Sequence, residues 1–549
     1  MGGIRLWAFR CLVVFLWLLP LPAYGQNFEV VFFNVGQGDS LLLISPTGET
    51  LLFDSGKNGQ GSATVLPFLN SRGIDQLDYF VASHYHADHI GGIDEVLAGG
   101  VSLGISYDRG GTYTTQTYQD YVAAVGAART TMDVEDVIDL GGGVTATCVA
   151  VNGEIIGGGQ VPVSGTSQEE NARSIVLLIS FDCFEMLVGG DLTGGGFSTA
   201  DVETSLAAQL DRVEVYKTHH HGSDTSSNTA LLAALLPQIA VIPVGDGNGF
   251  GHPHAEVIDR LTALGTVQAI YQMEAGEGGT SPKVWVANGN IFLTSSDGSE
   301  FTVEGDSLPS ITYGQGVDLV INEIMKDPFQ VSDELGEYFE VLNNGDLTVD
   351  LHDMVIADDD FDMHTINAPG GLQLSPGELL VLGLNDNPLQ NGGLQVDYVY
   401  NNFFLGNGTD EVVLGWNVEG TLVAADRVVY NDAQFPDTPG RSMELVDSDA
   451  DNSQPQFWAE TLIPYGDGDL GTPGSPNSTA VTCFIRGDSN QDGNVDIGDP
   501  VLTLNFLFSS ETRPSCGDAL DANDDGSINI GDAVYTLNYL FSEGNPPLP

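Results

Sequence analysis

The spacing of apolar positions changes along the chain and divides it. Up to about residue 303, apolar runs of four to eight residues alternate with polar, glycine-rich turns. Phe28 to Val35 is a β-rich run, Gly36-Gln37-Gly38-Asp39 reads as a turn, and Leu41 to Ile44 and Thr50 to Phe53 follow as strands. Leu77 to Ala82 predicts a buried strand, and after Gly91-Gly92 a short helical pattern covers Ile93 to Leu97. Further strands are predicted at Ser174 to Ile179, Glu185 to Val188 and Val213 to Thr218, with a helix over Ala255 to Leu264. A turn-rich stretch, Gly305 to Gly316, reads as a linker. Beyond it come short strands with polar turns (Val317 to Glu323, Glu337 to Asn343, Leu379 to Leu384, Glu411 to Trp416, Arg427 to Tyr430), the pattern of a β-sandwich. Gly466 to Thr479 is a second Gly/Pro/Ser linker. The last segment is a repeat of period 33, each copy an acidic loop followed by an amphipathic helix.

Candidate chemistry sits at the strand ends of the first region. Eight of the ten His fall in three places, 84–89, 219–221 and 252–254. Ser83-His84-Tyr85-His86-Ala87-Asp88-His89 follows a predicted strand and precedes a helix. Imidazole and carboxylate suit zinc and similar divalent metals. One loop does not readily aim four such groups at a single ion, so His84 and His86 suit one metal, and Asp88 and His89 a second. Asp191 ends a strand after Gly189-Gly190. His219-His220-His221-Gly222-Ser223 ends another, and Gly251-His252-Pro253-His254 precedes the last helix.

The H-x-H-x-D-H pattern resembles the signature of the metallo-β-lactamase superfamily. The order "FFNVGQGDSLLLI … LLFDSG … ASHYHADHIGG" resembles the hydrolase domain of DNA-uptake competence (ComEC-type) proteins, with Asn34 where that branch often has Asp. The resemblance implies an αββα sandwich over residues 27–303 with metals at one edge. It implies that Asp191 bridges two ions, a task its two oxygens suit. His220 and His221 match the branch's H-H-G-S element, one of them a ligand of the second metal, and His219 lies outside the match. His252 is expected to contact substrate or move protons, or else only to pack the helix start. Asp54 is expected to orient a ligand His. Many members carry a third His on the first metal, but no His lies between His89 and His219. Asn171 and Ser174 stand in that region, so the first ion is expected to be weakly held or completed by Asn or water. The implied cofactor is Zn²⁺ (one or two ions, or another divalent metal), which lowers the pKa of water to about 7 for attack on an ester or phosphodiester. Asp88 is the candidate to orient that water.

Charge narrows the partners. Lys and Arg number 16 against 76 Asp and Glu, a formal net charge of -60. That favours cations, leaves small anionic or ester substrates open only where bound metals reverse the local field, and disfavours extended nucleic acid. Residues 1–25 read as a secretory signal, with Arg5 and Arg10, an apolar run from Cys11 to Leu19, and Ala23-Tyr24-Gly25 for cleavage. No other membrane span is read, so the mature chain is expected outside the cell or at its surface. Export permits disulfides. Cys483 and Cys516 each lie five residues before an acidic loop and are expected to pair, leaving Cys148 and Cys183 as a second bridge or as two buried thiols.

The middle region, residues 317–478, resembles the lamin-tail domain in "INEIM … GEYFEVLNNGDLTVDLHDM … GTPGSPN", although Asp353-Met354 stand near the position where that family often has Trp. The resemblance implies an immunoglobulin-like β-sandwich, serving as a spacer or adhesion module. In residues 483–549, Asp488, Asn490, Asp492, Asp496 and Asp499 fall at loop positions 1, 3, 5, 9 and 12, as do Asp521, Asn523, Asp525, Asn529 and Asp532. Oxygens at these offsets wrap Ca²⁺. Asp at position 12 and loops that no helix enters resemble a type I dockerin, a small α-helical domain holding two Ca²⁺. Its core is expected from Leu502, Leu504, Leu507 and Phe508 and from Tyr535, Leu537, Leu540 and Phe541. The resemblance implies a cohesin-like partner on a scaffold or cell surface. The leading expectation is a secreted, anchored metal-dependent hydrolase. The rivals are a non-catalytic surface or adhesion protein with a degenerate metal site, and a carbohydrate-active enzyme, the latter only because dockerins often accompany polysaccharide degradation.

Overall fold

A computed structural model describes residues 27–359, 362–478, 486–487, 489–490, 495–509, 517–520, 522–523 and 528–542. The chain divides at Gly314 and Gln315 into two compact units, apart from Ala263–Gly265, which group with the second. No helix among the described residues is long and apolar enough to cross a membrane. The signal segment, Cys483, Cys516, Asp488, Asp492, Asp521 and Asp525 lie outside the described residues.

Among its described residues the first unit is built on two sheets, one of nine strands and one of ten. Alternation along the strands decides how they stack. Phe28, Val30 and Phe32 of strand Phe28–Phe32 face an inter-sheet core with Leu177, Ile179, Met186 and Val188 from the other sheet. Val31 and Phe33 point the other way, into a layer with Val65, Leu69, Ile93, Val96 and Tyr121 from flanking helices. Period-two side chains therefore cover both faces of the sheet. Leu231, Leu232, Val257 and Leu261, on helices Thr229–Leu235 and Ala255–Ala263, are also buried. Full burial of one such side chain contributes ~1.5–3 kcal/mol.

Strand direction sets where function can sit. Thr50–Phe53, Gln76–Ala82, Ser102–Asp108 and Arg129–Thr131 run parallel in the first sheet. Phe184–Gly189, Val215–Lys217, Ile239–Ile242 and Ala269–Gln272 run parallel in the second. Loops at the carboxyl ends of parallel strands are where ligand sites form. Asp54, the 83–89 loop, Asp191, the 219–221 cluster and the loop to His252 all follow such ends.

Several expectations change here. The stretch read as a linker holds strand Leu308–Tyr313, which pairs with Phe301–Gly305. Tyr313 stacks on Phe301 at 5.2 Å and its hydroxyl meets that of Tyr271 at 2.6 Å, so an aromatic anchor outweighs the turn residues. Cys148 and Cys183 form no bridge with each other: Cys148 is buried in strand Val144–Val151, while Cys183 is exposed at the turn after Val176–Phe181.

Among its described residues the second unit has sheets of six and four strands and two strand pairs. The stretch 466–478 is part of this fold and not a free linker. Backbone amides of Thr472, Gly474 and Ser478 donate to the buried carboxylates of Glu323, Glu340 and Glu444 at 2.8, 2.6 and 2.9 Å. Burial of backbone requires such acceptors.

In the terminal repeat, helices Gly498–Ser509 and Ile530–Phe541 pack on each other. The two copies repeat their hydrogen bonds. Asp499 accepts from the amides of Asn490 and Asp496 at 3.2 and 2.7 Å, and Asp532 from Asn523 and Asn529 at 3.3 and 2.8 Å. A one-turn helix, Gly517–Leu520, does enter the second loop, contrary to expectation. Phe508 and Phe541, expected in the core, are each 69% exposed. The buried stripe runs through Asp499 and Thr503, and through Asp532 and Thr536; five residues further round, a helical side chain points away.

Candidate metal centre

The loop 83–89 is buttressed from below. Asp54 accepts from the Ser83 amide at 2.8 Å, the Ser83 hydroxyl at 2.7 Å and Nδ1 of His89 at 2.8 Å. That bond leaves Nε2 of His89 to face Asp191. Gly38 packs on the loop: a Cβ there would lie 2.6 Å from the Asp88 carbonyl oxygen, so only glycine fits. Arg109 forks onto Glu170 at 2.9 and 2.7 Å, and Glu170 accepts the Tyr85 amide at 2.9 Å.

The 219–221 cluster bends sharply. His220 and His221 adopt left-handed backbone, φ 50° and φ 55°. Two consecutive non-glycine residues there are strained, and such strain concentrates at functional sites. The turn sends neighbouring imidazoles to different places. His221 Nε2 lies 3.6 Å from Asp191 Oδ1 and 3.5 Å from Asp88 Oδ2. His220 Nε2 lies 3.5 Å from Asp191 Oδ2 and 3.2 Å from the Asn171 amide nitrogen. His219 points elsewhere, its Nδ1 on buried Glu203 at 2.7 Å, in keeping with its place outside the motif.

The sequence-predicted residues therefore meet in two groups about Asp191. His89 Nε2 is 3.2 Å and His221 Nε2 3.6 Å from Asp191 Oδ1, with Asp88 Oδ2 3.9 Å from His89 Nε2. On the Oδ2 side stand His84 Nε2 at 3.8 Å and His220, while His86 Nδ1 is 3.0 Å from His84 Nε2. On that side His220 Nε2 and the Asn171 side chain stand together. His252 packs against His220 and His221, ring centroids 5.2 and 6.0 Å apart, and its Nδ1 is 3.4 Å from the Gln37 amide.

The chemistry of the donor set fits a divalent cation. Nε2 of His89, Nε2 of His221, Oδ1 of Asp191 and Oδ1 of Asn171 are buried with no hydrogen-bond partner. Unsatisfied buried polar atoms are costly, and here the two imidazole nitrogens converge on Asp191 Oδ1. Two clusters, His84-His89-Asp191 and Asp88-His89-His221, bring ligand atoms within 4.8 Å of one another. Burial works against charge on Asp191 and Asp88, yet the surrounding imidazoles hold both carboxyls below their ordinary range. Burial also opposes a proton on His221, but Asp191 and Asp39 push it up to about 10. His84 is driven well down by burial and then by charged His89, and His252 falls to about 3 through burial and its His neighbours.

Sequence reasoning missed Asp39 and Lys217. Asp39 was legible only as part of a turn, and Lys217 only as the one cation in an otherwise apolar strand end. Both are buried beneath the imidazoles.

The profile of the metallo-beta-lactamase superfamily matches residues 33–158, which hold the 84–89 loop and Asp54. The first unit carries a metallo-β-lactamase superfamily domain. The type I dockerin profile matches residues 486–541, and the chain ends in a dockerin. Curated relatives of the superfamily domain come from the competence branch. They include Competence protein ComA of Neisseria gonorrhoeae, 29% identical over 266 residues, covering 48% of this chain and 34% of that protein. ComE operon protein 3 of Bacillus subtilis is 25% identical over 292 residues, covering 48% and 36%. The chain thus spans about a third of the length of these relatives. Among solved structures, a diphosphatase from the PhnP family is 14% identical with a TM-score of 0.27, covering 48% of this chain and 95% of that one. Zn(2+)-bound PqqB from Methylobacterium extorquens is 10% identical with a TM-score of 0.25, covering 40% and 89%.

Proposed function

We propose that the metallo-β-lactamase domain is a metal-dependent hydrolase of a phosphodiester or related ester. The observation that carries this reading is the convergence of unpartnered His89 Nε2, His221 Nε2 and Asp191 Oδ1 in one buried spot. In this reading His84, His86 and His220 would hold one divalent ion and Asp88, His89 and His221 another, with Asp191 serving both. Bound zinc would supply a Lewis acid and an activated water at neutral pH. Asp54 orients His89, and Asp88, the most exposed carboxylate of the group, would orient the water that such an ion activates. His252, beside both His220 and His221, contacts the substrate.

The remaining assignments complete the proposal. The chain is exported, its first 25 residues removed. The region 317–478 is an immunoglobulin-like, lamin-tail-like spacer. The dockerin, closed by two Ca²⁺ and a Cys483–Cys516 bridge, anchors the enzyme to a cohesin-like partner.

The test is hydrolysis of bis(4-nitrophenyl) phosphate by the zinc-loaded full chain. Asp191→Ala and His86→Ala should each fall to background. Wild-type rates in both variants would sink the assignment.

A further inference from the structure

A lysine lies buried in the floor of the site. Lys217, the last residue of strand Val215–Lys217, is 1% exposed. Its ammonium is ion-paired with Asp39 Oδ2 and donates to the Gly189 carbonyl at 2.6 Å. A chain with 16 Lys and Arg against 76 acids has few cations to place, and burying one is costly unless it is paired. Its partner is the carboxylate that complicates the metal geometry. Asp39 joins Asp191 and His221 in one candidate cluster and Asp54 and His89 in another. By distance alone, Asp39 could draw an ion away from the Asp191 side.

Two observations weigh against that. Asp39 meets the imidazoles at the wrong nitrogens: its Oδ1 is 3.0 Å from His221 Nδ1 and its Oδ2 3.9 Å from His89 Nδ1. His221 Nδ1 is also 3.0 Å from the Pro243 carbonyl oxygen, a pure acceptor, so Nδ1 carries the proton and only Nε2 is open to a metal. The place beside Asp39 Oδ2 that a second cation would take is filled by the ammonium.

We propose that Lys217 is a built-in cation that sets where divalent ions bind in this site. It neutralises Asp39, keeps that carboxylate on the Nδ1 side of His221, and confines divalent ions to the Nε2 side shared with Asp191. Lys217 is thus a positioning residue acting through Asp39. This inference rests on the metallohydrolase reading above.

The experiment is a charge swap read by metal content, using mass spectrometry of the full chain after equilibration with Zn²⁺, together with zinc affinity by chelator competition and the visible spectrum of the Co²⁺ form. Lys217→Met frees the Asp39 carboxylate and should gain one divalent ion per chain over wild type, with a changed Co²⁺ spectrum. Asp39→Asn leaves the ammonium unpaired and should lower zinc affinity by about tenfold or more, the usual scale for groups that orient ligands. The double variant Asp39→Asn/Lys217→Met removes both charges and should recover the wild-type ion count and come within about threefold of wild-type affinity, as coupled residues do in a cycle. If Lys217→Met does not fold, the comparison of Asp39→Asn with the double variant still decides. A folded Lys217→Met with wild-type metal content, or a double variant binding no better than Asp39→Asn, overturns the proposal and leaves the metallohydrolase reading standing. A wild-type chain holding no divalent ion overturns both.

Discussion

Replacing Asp54 by Asn changes one atom of a fully buried side chain, and the hydrogen bonds around it predict the outcome. Asp54 Oδ1 accepts from the Ser83 amide at 2.8 Å, and Oδ2 accepts from the Ser83 hydroxyl and His89 Nδ1 at 2.7 and 2.8 Å. An asparagine that keeps its oxygen on the Ser83 amide sets its NH₂ against both Oδ2 partners. The hydroxyl can turn and accept, but an imidazole Nδ1–H cannot. His89 must then move its proton to Nε2, the atom 3.2 Å from Asp191 Oδ1 that is required to face the ion. The opposite amide orientation sets NH₂ against the Ser83 N–H and leaves a buried donor unpaired, costing ~1–3 kcal/mol. The first orientation mis-sets the ligand, and the second presents Nε2 to the ion only at that cost. Zinc affinity of Asp54→Asn should fall ~10–100-fold, or ~1.4–2.8 kcal/mol. Burial raises the Asp54 carboxyl above its usual range, so losing its charge relieves a desolvation cost and the unfolding temperature should hold. Chelator competition and thermal unfolding on the same preparation separate the two effects. Zinc affinity within about twofold of wild type, with the fold intact, would refute the orienting role.

Two further outcomes follow from the second unit. Glu337 and Glu340 are pushed up to about 8, by burial first and, for Glu340, by the neighbouring Glu323 carboxylate. A carboxyl whose folded value is raised contributes stability below ~4.3 that is lost as pH climbs through the folded value, so this unit should unfold at lower temperature at pH ~8.5 than at ~5. Glu340→Gln should flatten that slope, and equal melting at both pH values would contradict the burial argument. Chelating Ca²⁺ should abolish hydrogen-exchange protection in helices Gly498–Ser509 and Ile530–Phe541 of the intact chain while leaving the sheets protected. Unchanged protection in those helices would show that calcium does not hold the repeat.

What the sequence determined by itself is what local periodicity and spacing can encode. Short apolar runs bounded by turns are enough to place the strands carrying Phe28 to Phe32, Leu41 to Ile44 and Leu77 to Ala82. Because each His cluster follows such a run, its position at a strand end was legible too, as was the doubled acidic loop with its period of 33. Folding decided what depends on groups far apart in the chain. The 83–89 loop belongs to one sheet, and Asp191 and the 219–221 turn to the other. Their approach rests on two sheets packing face to face, and no local pattern states that. The left-handed backbone at His220 and His221 sets one imidazole near each oxygen of Asp191, a placement that no spacing in the sequence states. Lys217 and Asp39 become a pair only inside the fold, where low dielectric makes an unpaired charge costly and puts the ammonium onto the carboxylate. In the same way, stretch 466–478 read as linker by composition and became structure because buried Glu323, Glu340 and Glu444 needed donors that only its backbone supplies.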